Sequence, residues 1–453
     1  MKSAVWARRG RGLASVSLLL ALAACGGGGG SGGDTCSVAE QKSWLAGYMS
    51  DWYFWTRLSP HPDPAGYSSV ASLYSALLYT GTSADFPADR WSYVQSSEAF
   101  SRFFGDGATL GYGLSVAGLE LARNAALPLH VRHVEALSPA AAQGVQRGDQ
   151  VVSINGRSAA DLVAADDFGA LTPAQAGDTL SLVLRRAGAD RTVNLTAAVF
   201  NLSPVGGAAV QTTAGGRKLG YVSVKDMVSQ ALSPFDAAMA SFQAAGVQDV
   251  VLDLRYNGGG LVSTGATLAS YLAGSRGTGL NYATLKFNSA HQASNSHYRF
   301  SNPGAALNLP RVIVLMGRRT CSASEQVING LRGAGVQVVA VGEATCGKPV
   351  GFQPTAYCGQ TYSAVNFESV NQLDQGRYFS GFAPTCAVAE DFTVPQGSAA
   401  DPLMAAARTV ADTGACPVTA DGQRSPLAAR GDSGLPRLRP LAEGDPRPGM
   451  IPR

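Results

Sequence analysis

A serine hydroxyl attacks a carbonyl carbon efficiently only when a base takes its proton, and this sequence holds a candidate for each role in two turns. One is Ser322-Ala-Ser-Glu325. The other is Gly347-Lys348, at the end of Gly342-Glu-Ala-Thr-Cys-Gly-Lys348. A lysine held in an apolar pocket loses its proton near neutral pH, because desolvation disfavours the ammonium form. Ser322 with Lys348 is therefore a candidate serine–lysine dyad, an arrangement that needs no histidine. Taken singly, each residue has an ordinary reading. Ser322 and Ser324, followed by Glu325, suit a helix cap, and lysine is usually a solvated surface charge.

Position favours chemistry over those readings. The apolar run Arg311–Met316 predicts a buried strand before Ser322, and Gln326–Gly333 predicts a helix after it. A strand-to-helix turn exposes a side chain at the carboxyl edge of a sheet and points backbone N–H groups at the same spot. Further strands are expected at Gly220–Val224, Asp249–Leu254 and Val336–Val341, with helices at Ser229–Ala245 and Ser263–Leu272. That alternation predicts α/β crossovers across residues 205–416. Asp253-Leu-Arg-Tyr-Asn-Gly-Gly-Gly260 ends a buried strand in three glycines, which permit close backbone approach and free N–H donors.

The preceding region, 109–200, shows short strands with turn glycines, at Leu129–Val134, Thr179–Arg185 and Thr192–Ala198. Its run Ser138-Pro-Ala-Ala-Ala-Gln-Gly144-Val-Gln-Arg-Gly-Asp149, followed by Gln150-Val-Val-Ser-Ile-Asn-Gly156 and Asp161-Leu162, resembles a PDZ domain. That resemblance implies peptide binding by strand addition, with the loop amides of Tyr112, Gly113 and Leu114 able to hold a terminal carboxylate. Residues 36–108 are expected to be helical, with Trp44, Trp52, Tyr53 and Trp55 serving as core staples.

The termini read differently. Lys2, Arg8, Arg9 and Arg11 precede the apolar run Leu13–Ala24, as in a secretory signal over 1–24. Leu22-Ala23-Ala24-Cys25 resembles a bacterial lipobox, which implies lipidation of Cys25. Residues 25–35 then form the glycine-rich tether. The expected location is the cell envelope, anchored to the outer membrane and facing the periplasm. Residues 417–453, rich in Pro, Arg and Gly, are expected to be disordered.

Setting Cys25 aside, six of the seven cysteines remain, an even number that suits disulfides in an exported chain. Cys321 and Cys346 flank the two halves of the dyad and are expected to be bridged. No cysteine–histidine spacing suggests a metal, so no metal or cofactor is expected. Net charge is +3 and charged residues make up 15%, without a basic stripe, which argues against nucleic acid as a partner. Two rival readings stand. Among the five histidines, His291 and His297 lie in a polar stretch of the core and could serve as base instead of Lys348. Alternatively, the chain is a non-catalytic scaffold that binds peptides.

In their order, the PDZ run, DLRYNGGG, SASE and GEATCGK resemble the C-terminal processing (tail-specific) proteases over about residues 111–353. The resemblance implies a multidomain α/β fold: a helical N-terminal region, a PDZ domain and a ClpP/crotonase-like peptidase core. It implies Ser322 as nucleophile, Lys348 as general base, Gln353 as the residue orienting the lysine, and an oxyanion hole of Gly258 or Gly259 with Ala323. The partners implied are polypeptides bound through their C-terminal segments. Gln353 falls one position later than in the family pattern, and Pro349 stands where glycine is frequent.

Overall fold

The strands expected in the core pair side by side in a computed structural model that describes residues 36–81, 83, 85–117, 127–418 and 450–451. The signal segment, Cys25 and the glycine tether lie outside the described residues.

Aromatic residues dictate how the N-terminal region folds. Helices α1 (Val38–Trp52) and α2 (Val70–Leu77) each start at a serine whose hydroxyl accepts a backbone N–H from its own first turn. Their buried side chains, with Tyr53, Trp55 and Trp91, pack on Val350, Phe352 and Tyr362 of the core. Trp44 stacks on Tyr357 at 4.3 Å, and a disulfide joins Cys36 to Cys358. The tryptophans are thus staples, and they support the backbone just beyond Lys348. β1 (Tyr93–Ser96) and the short helix α3 (Ser97–Ser101) lead to β2 (Ala108–Gly111).

The PDZ region follows, with β3 (Leu114–Val116), β4 (Leu129–Val134), α4 (Pro139–Ala142), β5 (Gln150–Ile154) and β6 (Arg157–Ser158). It continues with α5 (Ala159–Ala165), β7 (Thr179–Arg186), β8 (Ala189–Thr196) and β9 (Ala198–Asn201). Its sheet runs β3-β4-β5-β7-β8, while β2 pairs with β9. Alternating side chains, including Leu180, Leu182 and Leu184 of β7, fill its own core.

The α/β core is built of β10 (Val205–Thr212), β11 (Lys218–Val224), α6 (Leu232–Ala245), β12 (Asp249–Asp253), β13 (Gly260–Leu261), α7 (Val262–Ala273), β14 (Asn281–Phe287) and β15 (Ser296–Arg299). β16 (Arg311–Met316), α8 (Ala323–Gly333), β17 (Gln337–Gly342), β18 (Val350–Phe352), β19 (Thr355–Tyr357), β20 (Gln360–Ser363) and β21 (Val365–Val370) come next. β22 (Cys386–Ala387), α9 (Pro402–Thr413) and β23 (Met450–Ile451) complete it. The main sheet has the order β10-β11-β12-β16-β17-β22, parallel from β11 onward. Strands buried on both faces explain the apolar stretches Val250–Leu252 of β12 and Val312–Met316 of β16. A second sheet runs β13-β23-β18-β21-β14-β15.

Of the boundaries that differ from expectation, among them α6 starting at Leu232 and β8 at Ala189, and the strand β1 within a region expected to be helical, two bear on the site. α8 begins at Ala323, three residues before the predicted start, because the turn at Ser322 passes directly into helix. Within the segment 417–453, expected to be disordered throughout, Met450 and Ile451 form a fully buried strand. The pairing comes entirely from distant backbone, so a local composition rule misses it.

Candidate active site

β12 and β16 run parallel and end together, and the turns leaving them meet. Arg255 fixes the first turn from below. Its guanidinium is buried and ion-paired with Asp253, Asp401 and Glu390. The Asp-Leu-Arg stretch is therefore scaffolding, tying the glycine turn to the loops before α9. Asn257, also buried, reaches both ways. Its side-chain amide donates to Val224 O at 3.0 Å, while its Oδ1 accepts from Gly259 N–H at 2.9 Å. Its carbonyl accepts from Cys321 N–H and the Ser324 hydroxyl, each at 3.0 Å. The glycine turn is thereby pinned against the nucleophile turn.

Gly259 has φ +111°, and a Cβ there would lie 2.9 Å from Ser322 Cβ and 3.0 Å from Ala323 N. Only glycine permits that approach. Gly259 N–H is already bound by the Asn257 side chain, and Ala323 is the first residue of α8, where a helix amide has no intrahelical acceptor. The sequence left Gly258 and Gly259 as alternatives, and of the two it is the Gly259 N–H that Asn257 engages.

Ser322 is fully buried, with φ +59° and ψ −115°, outside the regions L-residues favour. Its Oγ has no hydrogen-bond partner. A helix-capping serine has extended backbone and a hydroxyl bonded to a turn amide, and Ser322 has neither. A strained backbone and an unpartnered buried hydroxyl together cost several kcal/mol, about 1–3 for each. Ser322→Gly is therefore expected to be at least as stable as Ser322→Ala, although elsewhere glycine loses about 0.5–1 kcal/mol to alanine. Denaturant midpoints check this; a glycine variant less stable by that ordinary margin would mean the turn is unstrained.

Glu325 joins the two turns. Its Oε2 accepts from Ser322 N–H at 2.9 Å and from Lys348 N–H at 2.8 Å. Its Oε1 accepts from Gly347 N–H at 2.9 Å and from the Thr345 hydroxyl at 2.5 Å. Burial pushes this carboxyl above its ordinary value of 4.5, partly offset by those donors. The sequence suggested only a capping role for Glu325. One carboxylate instead bonds the backbone of both candidate catalytic residues. A disulfide between Cys321 and Cys346, as expected, adds a covalent link between the same turns, with Cα atoms 5.2 Å apart.

Lys348 is buried at 3% exposure, its Nζ lying 4.0 Å from the centre of the Phe352 ring. Gln353 is not placed with it. It is exposed and lines a surface groove with Trp44, Tyr48, Asp51, Trp52, Thr355 and Asn366. Successive residues of an extended chain point to opposite sides, so with Phe352 turned under the lysine, Gln353 faces away. Phe352 lies beside the Lys348 amine, and the positioning role expected for Gln353 has no support in this geometry. The histidines are engaged elsewhere: His291 bonds Asp51 at 2.8 Å and stacks on Trp52, and His297 bonds Thr284 at 3.0 Å.

The PDZ residues line a second groove. Tyr112, Gly113 and Leu114 border it together with Phe103, Leu202, Lys225 and Asp226, at the seam with the core. β3, which starts at Leu114, is an edge strand of its sheet among the described residues. Lys225 of the core lies 3.6 Å from Glu135 of the PDZ region.

Comparison with known proteins follows the same divisions. Residues 218–387 match peptidase family S41, residues 40–93 the S41 N-terminal domain, and residues 111–197 the PDZ domain. The two larger matches thus fall on the α/β core and on the β-rich region that precedes it. A carboxyl-terminal-processing protease of Picosynechococcus is 29% identical over 213 residues, 47% of this chain and 48% of that protein. A chloroplastic carboxyl-terminal-processing peptidase of Arabidopsis thaliana is 30% identical over 221 residues, 47% of this chain and 41% of that one. The chain therefore spans about half the length of the curated relatives it matches. The fold is that of an S41 protease structure from Bacteroides fragilis, with TM-score 0.62 and 24% identity over 81% of this chain and 96% of that one. A photosystem II D1 C-terminal processing protease structure aligns with TM-score 0.50 and 21% identity, over 78% and 93%.

Proposed function

We propose that this chain is a serine endopeptidase of the C-terminal processing type, in which Ser322 is the nucleophile and Lys348 the general base. The observation that carries the reading is Glu325, whose single carboxylate holds the backbone of Ser322 and Lys348 in one cluster, beside an unbonded serine hydroxyl. Neutral Lys348 takes the Ser322 proton as Oγ bonds to the carbonyl carbon of the scissile peptide. The oxyanion that forms is met by the amides of Gly258 and Ala323, each donor lowering the barrier by about 3 kcal/mol. The ammonium of Lys348 then gives its proton to the departing amine, which leaves an acyl-enzyme. Water attacks that ester with the same lysine as base, and Ser322 is regenerated.

Substrates would be envelope polypeptides whose C-terminal segments join the β3 edge near Tyr112, Gly113 and Leu114. The chain itself would be tethered to the outer membrane through lipidated Cys25. Cleavage of a tagged polypeptide with an apolar C-terminus, followed by mass spectrometry, tests the reading. The purified chain is expected to cut it and Ser322→Ala to trap it uncut. An inert wild-type protein that still binds C-terminal peptides would favour a scaffold instead.

A further inference from the structure

The strand β23 enters the core beside the candidate catalytic turns. Gly260 pairs with Met450 and Leu261 with Ile451, in parallel, while Gly351 pairs with Met450 from the other side. β13 begins one residue after Gly259, which abuts Ser322, and β18 begins two residues after Lys348. Since β13 and β18 do not pair with each other, they stand two strand spacings apart, roughly 10 Å, leaving a slot one strand wide. A Cβ on Gly351 would lie 2.5 Å from Met450 O, so glycine is what lets a strand lie so close. Ile451 packs among Phe100, Phe103, Phe104, Leu202, Val228 and Leu261. Phe103 and Leu202 also border the PDZ groove, so the slot leads from the oxyanion turn toward the PDZ edge.

We propose that this slot is the subsite for the leaving segment of the substrate, and that Met450–Ile451 of the chain itself occupies it as an intramolecular pseudosubstrate. In the observed register, a substrate residue just before the Met450 position stands level with Gly259, beside the oxyanion donors. The residues at the Met450 and Ile451 positions are then the first two after the cut. The aromatic lining around Ile451 selects an apolar side chain at the second of them. Tethering makes the chain's own segment a strong competitor, because a linked ligand acts at an effective concentration of up to about millimolar.

The inference rests on the peptidase reading for its kinetic consequence but not for its binding consequence, and the test separates the two. In the full chain, Met450→Asp with Ile451→Asp puts carboxylates where an apolar pocket rejects them. That variant is expected to cleave an apolar-tailed peptide about tenfold faster at low substrate, and a synthetic Arg447–Arg453 peptide should inhibit it more strongly than it inhibits wild type. A variant that melts like wild type, with unchanged kcat/KM, overturns the proposal. Combined with Ser322→Ala, the same double substitution should bind fluorescent Arg447–Arg453 peptide, whereas Ser322→Ala alone should not. This holds even if no form cleaves, which would count against the peptidase reading alone, and failure to bind overturns the slot. Hydrogen exchange on the wild-type protein needs no variant. Slowed exchange at the Met450 and Ile451 amides is expected, and exchange at free-chain rates overturns the proposal.

Discussion

Lys348→Met is expected to lower peptide cleavage by about 10³-fold while leaving the melting temperature near that of wild type. The methionine keeps most of the lysine's volume against Phe352, so packing is retained while the base is lost. General-base catalysis supplies roughly 10²–10⁴ in rate, and no histidine stands bonded to Ser322 as a substitute. Lys348→Arg is expected to fail as well, since a guanidinium stays protonated at any relevant pH and cannot accept the Ser322 proton. Chromatographic assay of a defined peptide, with circular dichroism as the folding control, decides the matter. Cleavage by Lys348→Met at near wild-type rate would remove the lysine from the mechanism.

Glu325→Ala carries the larger structural effect. It strands three backbone N–H groups and the Thr345 hydroxyl in the protein interior. An orphaned buried donor costs about 1–3 kcal/mol, so even with partial relaxation a loss above about 4 kcal/mol is expected, together with loss of activity. Denaturant titration measures the first and the peptide assay the second. The raised carboxyl value also sets a pH dependence. A carboxyl whose folded value lies above 4.5 contributes stability that is fully present below 4.5 and is lost as pH rises through the raised value. Glu325→Gln, which does not titrate, should lack that component. A Glu325→Ala protein that is stable and active would show that the two turns hold together without it.

Ser322 and Lys348 stood out as candidates because each follows an apolar strand in a turn, a pattern visible along the chain. The crossover layout was legible from alternating apolar strands and helices, and the PDZ region from the resemblance of its Ser138–Leu162 run to a known motif. Partnership across turns was hidden. Glu325 sits in a capping position, and nothing local reveals that the 345–348 turn folds onto it. The choice between Gly258 and Gly259 depended on where Asn257 points. Gln353 was misplaced because counting positions from a motif ignores which side of an extended chain a residue takes. β23 was unreadable because two residues have no period, and their partners lie 99 or more positions away.

The Cys321–Cys346 bridge ties chemistry to redox environment. One sulfur belongs to the residue before Ser322 and the other lies two residues before Lys348. Closing a loop of about 25 residues removes roughly 3 kcal/mol of freedom from the unfolded chain. Where thiols are kept reduced, the same polypeptide would have to bring both turns together through Glu325 and the backbone bond from Cys346 N–H to Thr320 O. Under reducing conditions the turns bearing Ser322 and Lys348 would therefore be held less firmly, and oxidation would restore the covalent link between them.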